Sequence, residues 1–240
     1  MAKYEVVDGV GIIPAGVTKI GMYAFRDCTS LTSIVIPSSV TAIGGCLFEG
    51  CTSLTSIIVE EGNSVYDSRE GCNAIIETAT NTLMQGCVST IIPPSVTEIG
   101  DKAFYSCTSL TSILIPSSVT KIGWYAFNGC TSLISIEIPS SVTAIGGKAF
   151  RDCTSLTSVV INGKIKKIED RTFENCNALE SITLLAGVNK IDTFAFDGCT
   201  SLKAINVPAK KKDYYIQRLP QELHSLIVEM EPVKKAKKIK

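Results

Sequence analysis

The chain has 240 residues, and its 23 Lys plus Arg balance 23 Asp plus Glu, which argues against the basic excess of a general nucleic-acid binder. Hydrophobic residues at 45% and charged residues at 19% exclude wholesale disorder, and no apolar run approaches the ~20 residues that cross a bilayer. One histidine, His224, stands beside ten cysteines, which removes most His-based catalysis and most His-containing zinc sites.

Residues 1–13 read as an N-terminal cap, in which Val6, Val7, Val10 and Ile13 predict one or two short strands. From 14 to 207 the sequence repeats. Cys-Thr-Ser-Leu recurs at Cys28, Cys51, Cys107, Cys130, Cys153 and Cys199, with a weaker copy at Cys176. The units 14–36, 37–59, 93–115, 116–138, 139–161, 162–184 and 185–207 each hold 23 residues. A fixed period of this length is the signature of stacked repeats.

In 116–138 the recurring apolar positions are Val119, Ile122, Ala126, Phe127, Cys130, Leu133, Ile136 and Ile138. The alternation Ile136-Glu137-Ile138 predicts a strand with one buried face. Ala126-Phe127-x-x-Cys130 has the spacing of a short helical turn. Pro-Ser-Ser at the head of several units is turn chemistry, and proline ends the strand because it has no N–H to donate. One such coil orders too much backbone for the little it buries, so it must stack on its neighbours. The expected fold is an α/β repeat solenoid, with a parallel β-sheet on one face, short helical turns on the other and one continuous interior.

The unit 60–92 is longer, at 33 residues, and reads as one coil with ten extra residues looped out. Residues 73–77 and 82–86 flank Thr78-Ala79-Thr80-Asn81 as a hairpin would. The register that follows places Cys72 opposite Cys87, where a cross-strand disulfide is geometrically possible and two reduced thiols are the alternative. Glu60, Glu61, Asp67 and Glu70 match the spacing of no known calcium loop.

Stacking puts Cys28, Cys51, Cys107, Cys130, Cys153, Cys176 and Cys199 in one column, spaced by the ~4.8 Å between strands. Parallel side chains keep their Cβ atoms beyond the usual ~3.5–4.5 Å of a disulfide, so free thiols acting as small buried hydrophobes are expected. There is no Cys-x-x-Cys pair, and no metal site or cofactor is expected. Cys46 falls where other units carry Tyr23, Lys102, Tyr125, Lys148 and Arg171, so it is expected to be the most exposed and most easily alkylated cysteine.

The candidate binding surface is the outward face of the long strands. Its central position reads Ile12, Val35, Ile58, Ile91, Leu114, Glu137 and Val160, then Thr183 and Asn206. Ser33, Ser56, Ser112, Ser135, Ser158 and Ser181 flank it. The apolar part of this stripe, in a sheet ~38 Å long, suggests protein or peptide docking, or self-association; the alternative is that β-branched residues simply suit strands. A secondary candidate is the row of turns carrying Tyr23, Trp124 and Tyr125.

Residues 208–231 read as a C-terminal cap, with a short helix, a break at Pro220, a second turn and a strand near Ile227-Val228; His224 is a surface residue of that cap. Pro232 to Lys240 is a lysine-rich tail with five Lys and no acid, leaving 18 basic against 23 acidic groups in the rest. Solvation of the tail is the default, and a loose contact with an anionic partner is the alternative.

The stretch Leu110 to Cys130, written Leu-x-x-Ile-x-Ile-Pro-x-x-Val-Thr-x-Ile-Gly-x-x-Ala-Phe-x-x-Cys, resembles the BspA-like leucine-rich-repeat family of bacterial surface proteins. The resemblance covers 14–207. The long unit, through Gly62 to Arg69 and Asn81-Thr82-Leu83, looks like an insertion of members from gut bacteria, and Val207 to Pro220 looks like a closing segment of that group. The resemblance implies a right-handed leucine-rich-repeat superhelix that acts in adhesion or protein binding, outside the cell or at its surface. It implies no catalytic residue, and no phosphate loop or dinucleotide fingerprint stands in the chain. Partners of that kind are proteins or peptides, such as host matrix or bacterial surface proteins, with no specific nucleic acid and no transmembrane segment. The start, Met1-Ala2-Lys3-Tyr4-Glu5, shows no apolar signal core. Taken as the true start it points instead to a cytoplasmic scaffold or regulatory protein.

Overall fold

The computed structural model describes residues 4–185 and 187–231, so the lysine-rich tail lies outside the described residues. An ordinary coil has three sides. The first carries the long strands Ser33–Ile36, Ser56–Val59, Ser135–Ile138, Ser158–Ile161, Ser181–Leu184 and Ala204–Val207. They pair in parallel at the repeat register, Val35 with Ile58 and Ser135 with Ser158 and then Ser181. The second and fourth residue of each, such as Ile136 and Ile138, turn inward and are buried, as the sequence alternation requires.

The second side carries two-residue strands such as Lys121–Ile122 and Ala144–Ile145, also parallel. Threonines reinforce the junction: Thr143 donates through Oγ1 to the Thr120 carbonyl at 3.2 Å, and Thr120 does the same to Thr97.

The third side corrects the expectation of short helical turns. Tyr125 and Gly129 have left-handed backbones, φ 57° and 72°, which a right-handed helix does not admit. The N–H groups of Tyr125, Phe127 and Gly129 leave their own coil and donate to the carbonyls of Gly147, Ala149 and Arg151, at 3.2, 2.7 and 2.8 Å. The result is a ladder of turns bonded coil to coil. Inside it, Phe104, Phe127, Phe150, Phe173 and Phe196 stack face to face, with centroids 5.0 to 5.5 Å apart.

The unit 60–92 is not one coil with a loop pulled out. Its second-side strand, which starts at the sixth residue of an ordinary unit (Lys19 in 14–36), here starts only at Thr82. The residues before it build a strand at Tyr66–Asp67 and another at Ala74–Glu77, both antiparallel to their neighbours. After Gly86 the turn row is missing, and coil four reaches across to coil two, with Ser109 Oγ donating to the Thr52 carbonyl at 2.9 Å.

The expected hairpin forms, Ala74–Glu77 against Thr82–Gly86, but a bulge between Ile75 and Ile76 shifts its register. Ala74 stands opposite Gly86, so the register continues to Asn73, and not Cys72, opposite Cys87. Both cysteines are free thiols. Their side chains face different cores, which corrects the pairing of Cys72 with Cys87.

The interior is also not continuous. Ile75 and Cys87 pack with Phe25, Leu47 and Ile57 in a first core. Cys72, Ala74, Ile76 and Leu83 pack with Phe104, Phe127 and the later coils in a second. The hairpin is a wall buried on both faces, and neighbouring residues on it serve opposite cores.

At the N-terminal end, Val6–Val7 and Val10–Gly11 form an antiparallel pair that joins the first long strand in parallel, and the Tyr4 ring stacks on Phe25 at 5.4 Å. At the other end a helix at Lys212–Ile216, a 3-10 turn at Gln221–Leu226 and a strand at Ile227–Glu229 follow the expected order. That strand adds in parallel to Ala204–Val207. His224 is half-buried, its Nε2 2.9 Å from the Leu219 carbonyl.

Candidate binding surface

The long-strand side is interrupted. One sheet ends at Ser56–Val59, another begins at Ser135–Ile138, and the segments that carry Ile91 and Leu114 form no strand. Register places Val35 beside Ile58, and Glu137 beside Val160, Thr183 and Asn206. Exposure along the stripe rises toward the interruption: Val35 46%, Ile58 49%, Ile91 73% and Leu114 84%. Ile134, at a position that is Thr in most coils, adds a side chain that is 54% exposed. Beyond the break the stripe turns polar. Glu137 accepts the Asn162 amide at 2.6 Å, and Val160 is half-buried.

Two grooves adjoin this face. One of about 540 Å³ lies along Ile57, Ile58 and Val59, with Asn63, Tyr66 and Arg69 on its far wall. A smaller one, about 170 Å³, lies between Ile91 and Leu114. The far wall is internally satisfied: Arg69 Nε and Nη2 bond Asp67 at 2.8 and 2.6 Å, and Nη1 reaches Asn81 at 2.9 Å. Asn63 donates to the Pro37 and Val40 carbonyls.

The secondary candidates are joined by a residue the sequence reading missed. Tyr23 and Tyr125 occupy the same left-handed repeat position, with Trp124, 49% exposed, next to the latter. Tyr105 leans across the missing turn, its ring 6.4 Å from Tyr125, and Glu49, Cys46 and Tyr23 add to the burial that raises its hydroxyl pKa. Tyr125 is already engaged: Lys102 and Lys148 lie over its ring at 5.9 and 5.2 Å, and Lys148 bonds its hydroxyl at 3.0 Å. The row is therefore largely occupied by its own cations.

Cys46 is 2% exposed, which corrects the expectation that it is the most accessible thiol. Its repeat position is defined by a left-handed backbone (φ 53°) and not by exposure. With the turn of coil three absent, Lys102 of coil four covers this spot, so that a Cβ on Gly45 would lie 3.8 Å from Lys102 Cδ. Burial raises the Cys46 pKa.

The seven-cysteine column consists of free thiols, and these are more than small hydrophobes. Cys51, Cys130, Cys153, Cys176 and Cys199 donate to the carbonyls of Phe25, Phe104, Phe127, Phe150 and Phe173 of the preceding coil, at 2.9 to 3.2 Å. Burial pushes Cys51, Cys107 and Cys153 up to about 12. These groups stay protonated and make poor nucleophiles. Among the described residues no group of three or more His, Cys, Asp or Glu is placed to hold a metal ion, and no helix is long and apolar enough to cross a membrane.

The model of the BspA type leucine-rich-repeat region matches residues 11–72 and 97–216 in six copies. Among solved structures, a leucine-rich repeat protein from Eubacterium ventriosum is 27% identical at a TM-score of 0.71, over 80% of this chain and 53% of that one. A leucine-rich cell surface protein from Faecalibacterium prausnitzii is 30% identical at 0.62, over 84% and 54%. The pneumococcal vaccine antigen PcpA, 18% identical at 0.59 over 90% and 60%, shares the fold alone. The chain thus spans about half the length of the first two. No curated protein matches it.

Proposed function

Since this chain belongs to the BspA-type leucine-rich-repeat family, we propose that it is a non-enzymatic binding module that holds a protein or peptide on the long-strand face. The observation that carries this reading is the pair Ile91 and Leu114, which line one groove where the sheet is broken and are 73% and 84% exposed. Large apolar side chains gathered on one face mark contact surfaces. Strand propensity does not account for Ile91 and Leu114, because neither lies in a strand. Adhesion at a bacterial surface is the setting we favour, supported by the Faecalibacterium relative described as a cell surface protein.

The test is capture from bacterial and host extracts by the wild type and by a Val35→Asp, Ile58→Asp, Leu114→Asp variant. Exposed substitutions of this kind alter stability by only about 0.5 kcal/mol each, so the far-UV spectrum is expected to hold. Loss of central apolar contacts costs about 2 kcal/mol or more in binding, so specific partners are expected to drop out. Equal capture by both proteins contradicts the reading.

A further inference from the structure

The turn ladder has a direction, and its last rung is unpaired. Phe173 and Asn175 N–H donate to the Ala195 and Asp197 carbonyls of the last repeat, at 2.9 and 2.7 Å. Phe196 and Gly198 are their counterparts one 23-residue repeat later. The turn there is the same. Cys199 N–H donates to the Phe196 carbonyl at 3.0 Å, as Cys176 N–H does to the Phe173 carbonyl at 3.1 Å. Gly198 is left-handed like Asn175, φ 72° and 61°. The Phe196 and Gly198 N–H groups therefore point to where a further turn would lie, and neither has an acceptor among the described residues. Phe127, Phe150 and Phe173 are fully buried, whereas Phe196 and Gly198 are only half-buried.

The C-terminal cap does not replace the missing turn. Its 3-10 turn Gln221–Leu226 packs Leu223 and Leu226 on the end of the core, and a groove of about 310 Å³ remains between Leu223 and the last turn. Phe194, 48% exposed, gives the groove an apolar wall. Arg171 covers that ring at 5.3 Å and is itself held by Glu174 at 3.5 Å. Among the described residues no Lys or Arg lines the groove. Of its three carboxylates, Asp192 is taken by Lys167 at 2.7 Å. Asp197 and Glu222 are exposed and form no ion pair with a described residue.

An unpaired row of main-chain groups is a template for another chain, and main-chain pairing at such an edge is an established mode of peptide recognition. Alternate carbonyls of an extended peptide face one way, which matches the two-residue spacing of Ala195 and Asp197. We propose that an extended basic peptide docks in this groove and continues the ladder. Two alternate carbonyls of the peptide accept the Phe196 and Gly198 N–H groups. A Lys or Arg of the peptide meets Asp197 and Glu222, and an apolar side chain lies on Phe194. The one-sided charge of the groove selects a basic occupant. The site lies on the turn side at the C-terminal end, so it is separate from the long-strand face and does not depend on that reading.

The probe is a fluorescein-labelled ten-residue peptide of alternating Val and Lys, titrated against the full chain by anisotropy, with a peptide of alternating Val and Glu as comparison. The Val/Lys peptide is expected to bind, and the Val/Glu peptide to bind about tenfold more weakly, because two attractive contacts become repulsive. An Asp197→Lys, Glu222→Lys variant, its fold checked by far-UV circular dichroism, is expected to reverse that preference. The Val35→Asp, Ile58→Asp, Leu114→Asp variant is expected to bind the peptide as the wild type does. Hydrogen exchange followed by NMR reads the main-chain contact: bound peptide is expected to slow exchange at the Phe196 and Gly198 amides by about tenfold at about 90% occupancy. No binding of the Val/Lys peptide overturns the proposal, as does binding without protection of these two amides. Loss of binding in the Val35→Asp, Ile58→Asp, Leu114→Asp variant places the peptide on the long-strand face and overturns this site alone. Exchange at the two amides that is already slow in the free chain makes a segment of the chain itself, or a second copy of it, the occupant and also overturns the proposal.

Discussion

Five of the seven cysteines of the column are held by an atom 26 residues earlier in the chain, a main-chain carbonyl that the thiol reaches across the coil junction. The column was legible in the sequence because the Cys recurs at one period. Its partner was not, because a carbonyl carries no sequence identity. The misjudged burial of Cys46 has the same origin: its exposure depends on a turn that another unit lacks. The raised thiols have a consequence in alkali. Cys153 is pushed up to about 12 by burial, against ~8.5 in an unfolded chain. The folded state therefore keeps a proton that the unfolded state releases. This contribution is fully present below about pH 8.5 and is lost as pH rises toward 12, at up to ~1.4 kcal/mol per pH unit for each such thiol. The urea midpoint is expected to fall between pH 8 and 10.5, and to fall less in Cys153→Ala. A wild-type midpoint that is flat over this range would contradict the burial argument.

Among the elements, the hairpin departs most from the repeat and decides most about the surface. Its existence was legible from Thr78-Ala79-Thr80-Asn81 between two apolar runs, but the bulge at Ile75 and Ile76 was not. Nor did any signal announce that both faces would be buried, since an apolar run such as Ala74-Ile75-Ile76 reads the same in a one-faced or a two-faced strand. The turn row shows the opposite failure. Ala-Phe-x-x-Cys fits a helical turn, yet Asp27, Ser106, Gly129, Asp152, Asn175 and Gly198 share a left-handed repeat position, and that run of Gly, Asp, Asn and Ser was the available signal. Gly86 is where the hairpin meets the Phe column. A Cβ there would stand 2.2 Å from Phe104 Cε1, whereas one on Gly21 would meet nothing within 4 Å. Gly86→Ala is expected to cost about 1–3 kcal/mol through forced repacking, and Gly21→Ala less than about 1 kcal/mol. Thermal melts of the two variants compare them directly; equal melting temperatures would remove the claim that the hairpin is tightly seated.

Over the whole molecule, the breaks coincide. The turn ladder and the core change over within unit 60–92, and the long-strand sheet stops at its edge, at Val59, to resume only at Ser135. The hairpin joins the two stacks there, and the interruption leaves Ile91 and Leu114 outside any strand. The period foretold the stacks, because identical coils offer identical interfaces. It could not foretell the break, which lies in the one unit that departs from it. The account rests on coils being interchangeable layers whose stability comes from their neighbours. Removing residues 116–138, one full coil beyond the hairpin, would place Phe104 against Phe150 in the same register. Urea unfolding of that shortened chain, followed by circular dichroism, is the most direct measurement. The account predicts a folded protein with the same spectrum per residue and one cooperative transition at a lower urea midpoint. A chain that is unfolded or aggregated before urea is added would contradict it.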